Sequence, residues 1–422
     1  MPNASNSKRM DRRQFLASSV LAGASLLTIS RVALASAATR SRFVFVILRG
    51  ALDGLSALPP YGDADYARLR GDLALSAPGT PNGAVRLDNL FGLHPSLKFM
   101  AERFEARELV AFHAVASPYR ERSHFDGQNV LENGYARPHA VQTGWLNRAL
   151  AVLPRGSSAR QEELGVALGE NIPLVMRGEA PVTSWSPSRL AALDEDTLER
   201  ITDLYAKDPL LSRRLADALA ADEIAQDAQD ADDEPAESRM LARRDRARGR
   251  GGARYLEVVR ATARFLRRED GPQVAVFDAT GWDTHANEGA AQGQLALRLA
   301  ALDAGLRALS TELGPAWRDT AVFIATEFGR TAARNGTRGT DHGTGAAAFL
   351  LGGAVRGGRV IADWPGLSAR ALYQSRDLAP TLDIRSILKG VLHDHLHVPA
   401  EALERTVFPE SGAARPLQGL IA

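Results

Sequence analysis

The chain contains no cysteine. That excludes disulfides, and it excludes thiolates as metal ligands. It also lacks an excess of either charge: 51 Lys and Arg stand against 50 Asp and Glu, a net of +1. Residues 1–35 hold Lys8, Arg9, Arg12, Arg13 and Arg31 against Asp11, so residues 36–422 carry a net charge of −3. No basic nucleic-acid footprint exists on such a chain. The apolar stretch Ala17–Ile29 is about 13 residues, too short for a helix that spans a bilayer. A chain with no disulfides must be stabilised by its own core, and this one is long enough to bury a large one.

What the N-terminus does have is a paired arginine, Arg12-Arg13, followed by Phe15-Leu16 and the apolar stretch. This pattern predicts a twin-arginine export signal, with Ala33-Leu34-Ala35 as a small-residue cleavage site. The expected location is periplasmic or secreted, with the twin-arginine machinery as partner and no membrane anchor after cleavage. That pathway exports folded proteins, so a metal would be loaded in the cytoplasm.

The rest reads as strands alternating with helices. Phe43–Leu48 is a continuous apolar run, as in a strand buried on both faces. Leu109–Val115, Val274–Asp278, Ala321–Thr326 and Ala346–Leu351 read as further strands. Helices are expected from Ser96 to Arg103, over Asp194–Ala225, Tyr255–Arg268 and Gln292–Leu313, and from Leu382 to Leu396. The pattern predicts an α/β domain over residues 36–422, with a mostly parallel central sheet and helices on both faces. A helical insertion is expected at about residues 155–265. Within it, acidic Asp227–Glu237 and basic Arg239–Arg250 read as a solvated surface excursion.

Acidic and histidine residues cluster just after the strands. Gly281-Trp282-Asp283-Thr284-His285 follows one strand; Thr326-Glu327-Phe328-Gly329-Arg330 and then Asp341-His342-Gly343 follow another. In open α/β sheets ligands bind outside the carboxyl ends of the strands. Imidazoles and carboxylates there are the donors a divalent metal needs. Asp283 and His285, and Asp341 and His342, are therefore expected metal ligands. Glu327 ends a buried strand and needs a cation, either Arg330 or a metal. Asp53 follows the first strand between Gly50 and Gly54, as a ligand or a turn residue. Ser123 opens a helix after a strand, as a nucleophile or as an N-cap. Arg120 and Arg122 flank it with forks that match phosphate or sulfate oxygens. His124 is ambiguous; His94 and His113 read as structural, and the run His393, His395, His397 reads as an adventitious metal binder without a functional role.

The set LRGALDGL, GLHPSL, RSHFDGQ, GWDTH, TEFGRT and TDHG, spread from Phe43 to Leu396, resembles the domain of unknown function 1501 family. That family is similar in turn to the alkaline phosphatase and sulfatase superfamily. The resemblance implies an alkaline-phosphatase-like fold and two metals flanking a Ser or Thr nucleophile. Carried over, Asp53, Ser123, Asp341 and His342 would form one metal site, and Asp283 and His285 would begin the other. The superfamily commonly has Asp-His-Gly directly after a strand; here Glu327 stands in that place. Two metals, one or none remain open, and the metal itself is Zn, Mn, Ca or Fe. The implied function is a metal-dependent hydrolase of phosphate or sulfate esters, its substrate an anionic small molecule or polymer. Catalytic roles would fall to Ser123, Arg120, Arg122 and Arg330. The alternative is a binding or assembly protein that kept the fold without the chemistry.

Overall fold

Why the strands lie where they do follows from their composition. In β1 (Arg42–Arg49) Val44, Val46 and Leu48 enter one core, while Phe43, Phe45 and Ile47 enter another. Alternate side chains leave a strand on opposite faces, so a continuous apolar run demands cover on both. The first core is closed by the helices Lys98–Glu105, Gly251–Arg267 and Gln294–Leu313, through residues such as Met100, Val259 and Leu299. The second is closed by Trp145–Val152 and Ile384–Leu396, through Trp145, Ile387 and Leu388. The sheet thus has helices on both faces, as its sequence pattern requires.

This computed structural model describes residues 41–153, 164–187, 200–202, 204–205, 208–226 and 251–422. The expected export signal and the charged runs within 227–250 lie outside the described residues. Besides β1, the central sheet contains β4 (Leu109–Ala116), β5 (Gly165–Leu168), β6 (Val182–Trp185), β7 (Val274–Thr280), β8 (Thr320–Thr326), β9 (Ala346–Leu351), β10 (Arg359–Ile361) and β11 (Leu382–Asp383). Its order is β10-β4-β9-β8-β1-β7-β5-β6, with β11 also paired to β4. A separate two-stranded ribbon joins β2 (Val85–Arg86) to β3 (Gly92–Leu93). Every pairing in the large sheet is parallel except those of β9, which runs antiparallel to β4 and to β8. Residues Arg42–Ala422 form one compact unit.

Two expectations change. The segment expected to be a helical insertion contains β5 and β6, which extend the central sheet beyond β7. The expected helix from Leu382 starts two residues later, because Leu382 and Asp383 first pair with β4. Asp383 then caps the helix by accepting a hydrogen bond from the Arg385 N–H. No helix among the described residues is long and apolar enough to cross a membrane.

The direction of β9 positions the site. β1, β4, β7 and β8 all end at one edge of the sheet, and β9, running the other way, begins there. The loops after four strands and the loop before the fifth therefore meet at that edge.

Candidate metal centre

Three side chains from three of these loops converge. His124 opens the helix His124–Asn133 after β4, Asp283 follows β7, and His342 precedes β9. Their ligand atoms all lie within 4.8 Å of one another. His342 Nε2 is 3.3 Å from Asp283 Oδ1, and His124 Nε2 is 3.5 Å from Asp283 Oδ2. His285 stands beside this trio: its Nε2 lies 3.0 Å from Asp283 Oδ1 and 3.0 Å from His342 Nε2.

Each ring is oriented from behind through Nδ1. His124 Nδ1 is 2.8 Å from Glu327 Oε1, His342 Nδ1 is 2.9 Å from the Arg122 carbonyl, and His285 Nδ1 is 3.3 Å from Asp341 Oδ1. All three partners are acceptors, so each Nδ1 carries its proton and each Nε2 turns toward the cluster. Carboxylate or carbonyl acceptors behind the ring are how metal-ligating histidines are commonly fixed. His124 Nε2 is buried and has no hydrogen-bond partner. Arg122 takes a left-handed backbone, φ 62°, at the residue whose carbonyl holds His342. That conformation is uncommon for a non-glycine residue and is stored where the fold needs it.

The electrostatics match this geometry. The hydrogen bond to Glu327 raises the His124 pKa against its partial burial, and the charges of Glu327 and Asp283 add to the rise. Burial lowers that of His342, and the charge of His124 lowers it further. Burial pulls the Asp283 carboxyl up, but Arg330 and His285 outweigh it, and the net shift is down. Arg330 is buried, donates to Asp283 Oδ1 at 2.7 Å and to the Trp282 carbonyl at 3.3 Å, and faces His342 across an antiparallel bridge. Gly50 lets the loops close: a Cβ there would lie 2.7 Å from the Asp283 nitrogen, and its φ is 119°. Its N–H donates to Glu327 Oε1 at 2.9 Å.

The remaining expected site residues fall elsewhere. Glu327 meets neither Arg330 nor the open side of the cluster. It accepts from His124, Gln128, Thr326 and Gly50; burial pulls its carboxyl up, but the bonds from His124, Gln128 and Gly50 outweigh it, and the net shift is down. Asp341 stands behind His285 and also accepts from Asn335 at 3.1 Å. Asp53 is paired with the buried Arg70 and accepts from the N–H groups of Leu55 and Ser56. Asp283, His285 and His342, expected to be split between two sites, share one cluster instead. Arg120 folds back to donate to the carbonyls of Ser117 and Tyr119, and Arg122 donates to Asp377 and Gln374. Ser123 occupies the N-cap position beside His124, but its side chain makes no capping bond. His124, ambiguous in the sequence, is one of the three side chains of the cluster. Its signal was the Ser-His pair at the start of a helix after a strand, which drew attention to the serine. Gln128, one turn further along that helix, was missed altogether.

A mostly parallel α/β sheet with a histidine–carboxylate cluster at the carboxyl ends of its strands defines the class: an α/β protein with a candidate divalent-metal site. The chain belongs to the family described as "Protein of unknown function (DUF1501)", whose model matches residues 108–407. No curated protein matches it. Among solved structures, Ps i-CgsB in complex with k-i-k-neocarrahexaose is 10% identical, covering 89% of this chain and 77% of that one, at a TM-score of 0.37. A TAB5 alkaline phosphatase mutant with Mg bound in its M3 site is 13% identical, covering 74% and 90%, at 0.31. A Bacteroides thetaiotaomicron structure concerned with the metabolism of multiple glycosaminoglycans is 11% identical, covering 89% and 75%, at 0.35.

Proposed function

We propose that this chain is an exported metal-dependent hydrolase of phosphate or sulfate esters, with its centre at His124, Asp283 and His342. The observation that carries the reading is the inward face of the cluster. The Nε2 atoms of His124, His285 and His342 turn toward the Asp283 carboxylate, with every Nδ1 committed to an acceptor. The separations of 3.0–3.5 Å around Asp283 approach the edge of a tetrahedron with metal–donor bonds of about 2.0–2.1 Å. Imidazole donors favour Zn or Fe over Ca, which takes oxygen ligands.

A bound divalent cation supplies positive charge against the ester's anionic oxygens and lowers the pKa of an attacking hydroxyl. The chain's own groups do the rest. Arg330, buried and anchored on Asp283 and the Trp282 carbonyl, holds the Asp283 carboxylate toward the cluster. Ser123 supplies the nucleophile, because its hydroxyl makes no capping bond at a helix start that favours negative charge. Asp53, held by Arg70, is not its base.

Elemental analysis of untagged protein should find at least roughly half an equivalent of metal per chain, since such sites are usually well occupied. His342→Ala should lose it. Aryl phosphates or sulfates should turn over, and Ser123→Ala should abolish turnover with metal content and melting unchanged. Folded protein that takes up no metal on titration would overturn the reading. One observation favours the alternative of a binding or assembly protein: Arg120 and Arg122 are both engaged within the fold. A metal-loaded protein inert toward every ester supplied would select that alternative.

A further inference from the structure

A cavity of about 760 Å³ lies beyond the ends of β5, β6 and β7, at the same edge of the sheet as the metal centre. Its floor is the stretch Asp278–Thr280 with Trp282, and Trp282 is the residue immediately before Asp283. Its walls are mainly apolar, with Leu168, Tyr255, Val258, Leu297 and Leu302 prominent. Leu297 is 58% exposed, an open apolar surface on an otherwise amphipathic helix.

Charge at the cavity is uneven in one respect. Glu170, Arg254, Asp278 and Arg298 all line it. Arg254 pairs with Glu170 at 2.7 Å, and Asp278 Oδ2 pairs with Arg49 at 2.7 Å. Arg298 has no carboxylate partner among the described residues; its one hydrogen bond there is a long one, 3.5 Å, to the Thr280 carbonyl. Its side chain is exposed at the rim of the cavity. The guanidinium lies against Gly281, where a Cβ would fall 2.2 Å from Arg298 Nη1, and Gly281 has a φ of 94°. The glycine of the loop that carries Asp283 is thus the seat of this arginine. An exposed guanidinium at the mouth of an apolar cavity, with its donors almost unspent, matches a ligand with an apolar body and an acid group.

We propose that this cavity is a binding site for an amphipathic organic anion, its apolar body against Leu168, Val258 and Leu302 and its acid group on Arg298. The site is distinct from the metal cluster, and its occupancy is read without turnover. Failure here therefore leaves the hydrolase reading standing, and the reverse.

The test uses the whole mature protein, freed of metal by chelation, titrated with the fluorescent probe 8-anilinonaphthalene-1-sulfonate. One saturable site is expected. Ala301→Trp, which fills the cavity from the helix Gln294–Leu313, should abolish it while melting is retained. Arg298→Ala should weaken the sulfonate about tenfold, the loss of one charge-assisted contact, and Arg298→Lys should restore part of it. The uncharged N-phenyl-1-naphthylamine should bind wild type and Arg298→Ala alike. Sulfonate binding unchanged by Ala301→Trp would overturn the site. Equal losses for the charged and uncharged probes in Arg298→Ala would overturn the role of the arginine.

Discussion

The buried ionic group around Asp53 shows how a residue that reads as functional serves the frame of the site. Asp53 and Arg70 are fully buried and paired, and Glu288 lies 3.6 Å from the same guanidinium. Burial would raise the Asp53 carboxyl, but Arg70 lowers it. Burial and the charge of Asp53 push the Glu288 carboxyl well above the usual range, which favours its neutral form. It accepts from Thr284 at 3.1 Å and Thr340 at 2.9 Å, tying together the two loops that carry His285 and His342. The two carboxyl groups therefore differ in their sensitivity to mutation. Asp53→Ala removes the carboxylate paired with buried Arg70, leaves only the more distant Glu288 beside it, and should cost about 3 kcal/mol. Glu288→Gln keeps a neutral group of the same shape and should cost about 1 kcal/mol or less. Urea unfolding at pH 7 measures both, and equal costs would refute the assignment of charge. Nothing in the sequence near Asp53 announces Arg70 as its partner. The clusters Asp283–His285 and Asp341–His342 were legible because two donors stand together in each. The single His124, whose support from Glu327 comes from a distant loop, was not.

At the scale of elements, strands with buried apolar runs were legible and short edge strands were not. β1, β4, β8 and β9 are apolar almost throughout, and their expected limits fall within a residue or two of the observed ones. β5 and β6 have four residues each, and β6, at the edge, is only half buried, so neither has a periodicity to read. The helix Ile384–Leu396 shows how an element is pinned. His395, near its end, is buried and donates from Nε2 to the Arg42 carbonyl at the start of β1. Burial lowers its pKa from 6.5 to about 4. Between those values the unfolded chain binds the proton and the folded chain does not, so stability falls as pH drops through that window. The loss from His395 between pH 7 and pH 5 should be about 2 kcal/mol. His113, also lowered to about 4 by burial, adds a loss of the same sign. Urea midpoints at the two pH values should show a smaller decrease in His395→Gln than in wild type. An identical decrease would mean that His395 is charged in the fold.

For the whole molecule, the predicted destination of the chain matters as much as its fold. We propose that residues 1–35 direct a folded, metal-loaded protein through the twin-arginine machinery. Replacing Arg12 and Arg13 with lysines should hold the precursor in the cytoplasm, read by fractionation and immunoblot. Delivery of the double variant through that machinery would refute the assignment. The sheet topology was legible only in outline. Alternation of strands and helices indicates a parallel sheet, but it does not say that one strand is reversed, since strand direction is set by contacts distant in the chain.

That one reversed strand has a kinetic consequence. His124, Asp283 and His342 belong to three separate regions of the chain, and His342 reaches the others only when β9 turns back between β8 and β4. Contacts between distant segments form slowly, because long loops must close before any contact rewards them. The ligand set is complete only after β4, β7, β8 and β9 have all docked. In contrast to domains that are unfolded without their metal, this chain would find its shape first, and an ion at the proposed site would bind only to the finished product. Retention of metal at the proposed site would then be a signature that folding has gone to completion.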